Sequence, residues 1–359
     1  MNKEYTSLGL MSGTSGDGVD ASIIRSDGTS KYKVILDKYF AYNQEIYDGI
    51  YELKEKINNI KDLKTFSKEI DSLERKITLF HAKSIADIIK KEKIDIVGFH
   101  GQTIFHSPKN KVSKQLGDGR LLSQLLKKDV IYNFRQNDIK NGGEGAPLAP
   151  IFHKLIAEQK EFKLPTSILN LGGIANITSI QNKNKIFSSD IGPGNCLIDK
   201  WIKTCTKQKY DKDGGIAKSG NVNKIILDQA LDSFYNNEIS NNKSYDTKDF
   251  DLSFVRGLSV EDGAATLTNF TSEIIAKKIF DNKVFLCGGG RKNNFLVKSI
   301  QEKTKSEIKL IDDIGMDGDF IESQAFAYIA IRSYLKLPIS FPETTGCSTP
   351  STGGITIKN

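Results

Sequence analysis

The sequence predicts an α/β protein with about two domains, and three observations carry that expectation. Strand-like apolar runs alternate with amphipathic helical stripes along the chain, and no low-complexity linker interrupts them. An apolar run, a glycine-rich turn and a second strand occur at residues 6–24 and again at 167–180. The chain's 359 residues, 38% hydrophobic and 26% charged, have an ordinary globular make-up and suffice for roughly two cores at about 150 residues each. The recurring unit fits either a duplication or two unrelated hairpins, and the pattern by itself leaves both open.

Taken in order, Thr6 to Met11 is an apolar strand that breaks into Ser12-Gly-Thr-Ser-Gly-Asp-Gly18, and Val19 to Ile24 follows as its hairpin partner. Lys33 to Phe40 gives a third strand. Between 43 and 92 the period changes. Phe66, Ile70, Leu73, Ile77 and Phe80 recur at alternating fours and threes, Ser84 takes the next place and Ile88 resumes the stripe, as in a long amphipathic helix. Ile94 to Phe99 reads as a compact strand bounded by His100-Gly101. A short helix near Leu121 to Leu126 leads into a strand from Asp129 to Phe134. In the second half, Ser167 to Leu171 and Ile174 to Ile180 flank the turn Gly172-Gly173, and Lys185 to Ser188 adds a third strand. Helices are expected at 194–206, 223–236 and 261–281, then a strand at 283–287, a helix at 293–303, a strand at 307–311 and a last helix from Phe320 to Leu335.

Composition excludes several classes. The balance of 51 Lys+Arg against 44 Asp+Glu gives +7, a mild welcome for anionic ligands but no case for nucleic acid. The densest basic run, Lys90, Lys91 and Lys93, ends the amphipathic helix, where cations complement the helix dipole. No stretch approaches 18 apolar residues, and Met1 to Tyr5 lacks a signal peptide's apolar core, so neither a membrane nor a secretory route is expected. Cys196, Cys205, Cys287 and Cys347 show no CxxC spacing and the four histidines no HxxxH pair, against disulfides and structural zinc. The expectation is a cytoplasmic protein.

Neither GxxxxGK[ST] nor a GxGxxG opening a helix is present. What stands out is Gly13, Thr14, Ser15, Gly16, Asp17, Gly18, Val19 and Asp20. Glycines let backbone N–H groups approach an anion, and Thr14 and Ser15 add hydroxyl donors. Asp17 and Asp20 suit holding Mg²⁺ or orienting the loop rather than touching phosphate. A plain hairpin turn explains Asp17-Gly18; a phosphate loop also explains the row of seven small or polar residues. Gly172-Gly173 is a second such turn. Asp190-Ile-Gly-Pro-Gly-Asn195 is a third, opening a helix whose N-terminus favours an anion. Asp190 there is either a general base at a strand end or a helix N-terminal carboxylate. Cys287-Gly288-Gly289-Gly290 follows an apolar strand, and its glycines would let a flat base lie against the backbone. Polar residues are dense between 98 and 148, where strand ends in open α/β sheets gather ligands. His100 alone fits a satisfied turn histidine, and no role is assigned to His81, His106 or His153.

In order and spacing, Leu10-Met-Ser-Gly-Thr-Ser-Gly-Asp-Gly-Val-Asp20, His100-Gly-Gln-Thr103, Gly117-Asp-Gly119, Phe134-Arg-Gln-Asn-Asp138, Gly143-Glu-Gly-Ala-Pro147, Asn170-Leu-Gly-Gly-Ile-Ala-Asn176 and Asp190-Ile-Gly-Pro-Gly-Asn195 resemble the anhydro-N-acetylmuramic acid kinase family. So do Asp211-Lys-Asp-Gly214, Lys243-Ser244, Ala264-Ala-Thr-Leu267, Cys287-Gly-Gly-Gly290 with Asn293, Ile321-Glu322 with Ala325-Phe-Ala327, and Thr345-Gly346, so the resemblance spans essentially the whole chain. It implies a two-lobed actin/hexokinase-like (ribonuclease H-like) kinase fold with the active site in an interlobe cleft. The first lobe would be 1–134, with 336–359 returning to it, and the second 135–335. It implies ATP-dependent hydrolytic opening of 1,6-anhydro-N-acetylmuramic acid with phosphorylation at O6, in cell-wall recycling and amino sugar metabolism. Asp190 resembles the base that activates water, residues 13–20 the ATP phosphate loop, and Gly172, Gly173, Gly288, Gly289, Gly290 and Asn293 further ATP-side residues. His100, Gln102, Arg135 and Glu322 resemble sugar-site residues, with Mg²⁺ near Asp17 or Asp20. The partners implied are the anhydrosugar and ATP, with a homodimer as the assembly. The alternatives are a kinase for another anhydrosugar such as levoglucosan, or a non-catalytic nucleotide- or sugar-binding regulator on the same fold.

Three positions depart from the family pattern. Gly16 stands in place of Leu, which should loosen the first hairpin. Ile191 replaces Thr and removes a hydroxyl beside Asp190. Ser323, where a small apolar residue is usual, is the mildest change.

Overall fold

The computed structural model describes residues 3–236 and 244–359. Met1, Asn2 and Lys243, on which parts of the sequence reading fell, lie outside them. The chain divides into two compact units, residues 1–161 with 320–359, and 162–319.

The first unit opens with β1 (Tyr5–Ser12), β2 (Gly18–Ser26) and β3 (Tyr32–Ala41), an antiparallel meander. Helices α1 (Gln44–Lys56), α2 (Ile60–Thr65) and α3 (Ser67–Lys91) follow. Asn43 starts α1 by accepting the Ile46 N–H, and Lys54 and Lys56 close its last turn against the dipole. The expected stripe is the buried face of α3, where Ile70, Leu73, Ile77, Ile85 and Ile88 enter the core and Phe66 marks the break from α2. Then come β4 (Ile96–Ser107), β5 (Val112–Leu116), α4 (Gly119–Leu126), β6 (Asp129–Tyr132), α5 (Gln136–Lys140) and α6 (Pro150–Gln159). The strand expected to stop at Phe99 runs on through His100 and Gln102. Its backbone ladder passes from β1 to β5 there, around a bulge opposite Leu10 and Met11, and needs no apolar side chains.

The second unit holds β7 (Thr166–Leu171), β8 (Ile174–Asn182), β9 (Lys185–Pro193), α7 (Cys196–Cys205), α8 (Gly215–Ser219), α9 (Lys224–Asn236), α10 (Val260–Lys277), β10 (Lys283–Cys287), α11 (Asn294–Lys303) and β11 (Glu307–Leu310). Its core gathers Leu169, Leu171, Leu197, Trp201, Ile274 and Leu286 beneath the sheet. The chain then returns to the first unit through α12 (Ile321–Tyr334), α13 (Pro342–Thr345) and β12 (Ile355–Ile357), which pairs with β6.

Within the first sheet the order is β12-β6-β4-β1-β2-β3, and within the second β11-β10-β7-β8-β9. In each, a three-stranded antiparallel meander is extended by two strands parallel to its first. That is the ribonuclease H-like order. Present twice, it gives the α/β pairing of actin/hexokinase-like kinases, and the repeated opening is one topology used twice.

The unit boundaries fall later than the 134/135 break read from the sequence, and the return begins at Phe320 rather than 336. Both shifts have a packing cause. Tyr32 of β3 packs edge-on against Phe152 of α6, and Phe152 against Tyr328 of α12. Helix α12 lies so close to the sheet that a Cβ on Gly9 would fall 2.1 Å from the Ser323 carbonyl oxygen.

Candidate active site

The turn between β1 and β2 has its carbonyl oxygens held by the protein. Gln102 Nε2 donates to Gly13 O at 2.9 Å and Lys54 Nζ to Thr14 O at 2.7 Å. Tyr51 donates its hydroxyl to Ser15 O at 3.3 Å, and Tyr39 its own to Asp17 O at 3.0 Å. These bonds fix the backbone course of the turn from Gly13 to Asp17. Thr14, Ser15 and Asp17 are exposed, and Ser15 Oγ donates to Asp17 Oδ1 at 2.5 Å. Burial raises the Tyr39 hydroxyl above its ordinary pKa, and the charges of Asp17 and Asp20 add to the rise. Gly16, expected to loosen the hairpin, sits instead at φ +64°, a conformation glycine adopts without strain, and its N–H donates to Gly13 O. A Cβ there would meet Ile50 Cγ2 at 3.0 Å.

Two of the four expected sugar-site residues, His100 and Arg135, bond each other at one end of the same sheet. His100 Nδ1 bonds Gly101 O at 2.7 Å, and Arg135 Nε donates to His100 Nε2 at 3.0 Å while its Nη1 donates to Gly145 O at 2.8 Å. The His100 ring packs on Phe326, centroids 4.5 Å apart, and Glu322 stands one turn before Phe326 on the same face of α12. His100 is thus a buried partner of Arg135, with both ring nitrogens committed. Gln102, fully buried, bonds the β1–β2 turn at Gly13. Asp138 is buried as well, accepting from the Gly145 N–H at 2.7 Å and from Thr345 Oγ1 at 2.7 Å, which pins the Gly143–Pro147 segment.

In the second unit Asp190 lies within β9, paired across the ladder with Asn176, rather than in a turn. Its Oδ2 accepts the Tyr245 backbone N–H at 2.9 Å. Three amides at the start of α7 are engaged: those of Gly194 and Cys196 donate to Gly173 O, and that of Asn195 to Gly172 O. Gly172 and Gly173 therefore serve the helix start through their carbonyls. Ile191 is 2% exposed and belongs to the core, at a bulge in β9 beside Asp190, so its exchange for Thr changes the core.

The Gly288–Gly290 turn follows β10. Gly288 has φ +80°, and a Cβ on it would lie 2.2 Å from Asn170 Oδ1, so only glycine fits. Asn293 caps α11 by accepting the Leu296 N–H at 2.9 Å and packs on Gly214 of the Asp211–Gly214 motif. Arg291, buried, donates to Gly288 O at 3.1 Å and forms a two-pronged pair with Asp312 at 2.7 and 2.9 Å. Ser323, taken as the mildest departure, is fully buried and bonds Ser22 Oγ at 2.6 Å. Among the described residues no three His, Cys, Asp or Glu side chains cluster to hold a metal ion.

Sequence reasoning missed Tyr39, Tyr51, Lys54 and Arg291. The usable signal was the aromatic and basic content of the stretch after β2 and the Arg291-Lys292 pair beside three glycines.

Residues 5–358 match the family model described as anhydro-N-acetylmuramic acid kinase. A Pelagibacter ubique (strain HTCC1062) protein named anhydro-N-acetylmuramic acid kinase is 57% identical over 376 residues, covering 100% of both chains. This chain belongs to the anhydro-N-acetylmuramic acid kinase family. Proteins of the same name from Zymomonas mobilis, 38% identical over 97% of this chain and 98% of that one, and from Agrobacterium fabrum, 34% identical over 100% of both, extend the relationship. In this kinase the described site residues fall into two groups. Residues 13–20, His100, Gln102, Arg135 and Glu322 are in the first unit; Gly172, Gly173, Asp190, Gly288–Gly290 and Asn293 are in the second. No helix among the described residues is long and apolar enough to cross a membrane.

Proposed function

We propose that this chain is an ATP-dependent kinase that hydrolytically opens 1,6-anhydro-N-acetylmuramic acid and phosphorylates O6, yielding N-acetylmuramic acid 6-phosphate for cell-wall recycling. The observation that carries the reading is the full-length identity of 57% with a relative named for that sugar. The geometry supports a role for each group.

Asp190, oriented by the Tyr245 N–H, takes a proton from water. The water oxygen bonds to the anomeric carbon, the bond from that carbon to O6 breaks, and O6 takes the γ-phosphoryl group as its bond to ADP breaks. Residues 13–20 receive the phosphates on a turn whose backbone Gln102 and Lys54 hold in place, with the exposed Thr14 and Ser15 hydroxyls as donors. The Gly288–Gly290 turn takes the adenosine side. Arg135 offers a guanidinium to the sugar's carboxylate, with Glu322 for its polar groups; His100 and Gln102 act through Arg135 and Gly13. Asp17, exposed in the turn, and Asp20 are the carboxylates that would hold a Mg²⁺ ion keeping most of its waters. When bound, that ion neutralises charge on the phosphates. A cytoplasmic setting and a homodimer go with this reading, to be checked by fractionation and light scattering.

The test is ADP release with 1,6-anhydro-N-acetylmuramic acid in heavy-oxygen water, with levoglucosan in parallel. The expected outcome is label at the anomeric oxygen and none in phosphate. Label in phosphate, or faster turnover of levoglucosan, would overturn the reading.

A further inference from the structure

Behind the phosphate-loop turn lies a line of buried polar atoms that no motif marks. Ser12 Oγ, at the end of β1, is 2.7 Å from the Tyr42 hydroxyl, and that hydroxyl is 2.8 Å from His81 Nε2 on α3. The three residues are 2%, 8% and 0% exposed. Tyr42 also donates its backbone N–H to Asp17 O at 2.9 Å, so one residue grips both ends of the turn.

The other ring nitrogen of His81, Nδ1, is buried without a hydrogen-bond partner. Burial alone brings His81 down to about 3, so near neutrality the ring carries one proton. On Nδ1 that proton would be a buried donor with nothing to meet, the rarer and costlier kind of orphan. On Nε2 it is donated to the Tyr42 oxygen, and only an acceptor lone pair stays unpaired. Tyr42 then donates its own proton to Ser12 Oγ, and the Ser12 proton is left to donate on the loop side.

We propose that Tyr42 and His81 form a buried relay that presets the phosphate loop for ATP, with Tyr42 holding Ser12 and Asp17 and the Nε2–H form of His81 fixing the order of donors. The proposal rests on the reading of residues 13–20 as the phosphate loop. Tyr42 and His81 are positioning residues, out of reach of the reacting atoms.

Tyr42→Phe keeps the ring and deletes the relay. It is expected to raise the KM for ATP by roughly tenfold or more while the sugar KM stays within about twofold, as for a lost hydrogen bond that orders donors to a charged ligand. Ser12→Ala should match it, and the double variant should be no worse than either single one. ¹⁵N NMR of the His81 ring reads the proton directly, with Nε2–H expected. An Nδ1–H ring overturns the donor order. An unchanged ATP KM in Tyr42→Phe, or ATP and sugar KM rising together with a fall in Tm, overturns the relay. Thr14→Ala separates the two ideas. If it raises the ATP KM while Tyr42→Phe does not, only the relay fails; if neither moves it, the phosphate-loop reading fails with it.

Discussion

Arg135 donates through Nε to His100 Nε2 across 3.0 Å, and the other ring nitrogen of His100 bonds the Gly101 carbonyl at 2.7 Å. Only one neutral form satisfies both bonds, with the proton on Nδ1 and the lone pair on Nε2 turned to the guanidinium. Burial holds the His100 pKa well below its ordinary value, the Arg135 charge adds to this, and the Gly101 carbonyl opposes it without prevailing. His100 is therefore an acceptor that aims a cation, not an acid.

His100→Ala should free Arg135 and raise the sugar KM by roughly tenfold, the worth of one bond to a charged group, with little change in the ATP KM. His100→Gln keeps an acceptor oxygen and should recover part of the loss. Between pH 6 and 8 the wild-type kcat/KM should show no inflection that His100→Gln removes. Such an inflection would mean that the ring titrates.

All four histidines are held down by burial: His81, His106 and His153 to about 3, and His100 well below its ordinary value. Below the unfolded value of about 6.5 the unfolded chain binds protons that the folded chain refuses, so stability is intact above that pH and is lost as pH falls towards 3. Each histidine contributes a slope of about 1.4 kcal/mol per pH unit inside that window. Tm measured from pH 8 to pH 5 should hold steady and then drop, and His153→Leu should shallow the drop. A flat Tm down to pH 5 would contradict the burial of these rings.

Asp190→Asn keeps the acceptor for the Tyr245 N–H but cannot take a proton from water. Sugar phosphorylation should fall by roughly 10²-fold or more, the usual range for a lost general base, while binding of an ATP analogue persists. Near-wild-type turnover would remove Asp190 from the role of base.

The turn between β1 and β2 was legible because a row of small and polar residues breaks an apolar strand. The layer behind it was not. Tyr42, Tyr51 and Lys54 follow strand and helix spacing after β3, and nothing in that spacing says that their polar tips turn back to the Ser12–Asp17 turn. His100 and Gln102 looked like a strand end because polar side chains break the apolar pattern, although the β4 ladder continues through them. Asp190 looked like a turn residue because Gly192, Pro193 and Gly194 announce a bend that begins only after it. The recurring hairpin was legible in both halves, but the order of strands was not, because the pairing of β4, β6 and β10 with distant strands leaves no local pattern. Nor was the break after Glu161, because it depends on α6 and α12 packing on a sheet built from distant segments.

Ile191→Thr restores the residue usual in the family and tests whether a hydroxyl at the β9 bulge acts on the core or on Asp190. The hydroxyl would enter a core built from Leu197, Ile198 and Ile274, at a cost of about 1–3 kcal/mol if it stays unpaired. A lower Tm with kcat little changed is expected. A rise in kcat would mean that the hydroxyl acts on Asp190 instead.

Arg291 offers the sharpest separation of geometry from charge. Its side chain, 4% exposed, pairs with Asp312 through two bonds, with Asp319 at 2.5 Å and with Asp317 at 3.2 Å, and donates to the carbonyl of Gly288. The Gly288 N–H in turn donates to Gly318 O at 2.8 Å, so the glycine turn is fastened on both sides. Burial works against the Arg291 charge, and the bonds to Asp312 and Asp319 outweigh it. Arg291→Ala takes the cation from Asp312 and Asp317, while Asp319 keeps Lys292, and should cost about 1–3 kcal/mol of stability because the carboxylates left behind are partly solvated. Arg291→Lys keeps the charge but cannot span Asp312, Asp319 and Gly288 O together, so it should recover stability only in part and still raise the ATP KM. Asp317→Asn removes one half-exposed partner and should cost under about 1 kcal/mol. Urea unfolding alongside ATP and sugar KM reads all three variants. If Arg291→Lys equals wild type in both, charge alone holds the turn and the fork is dispensable.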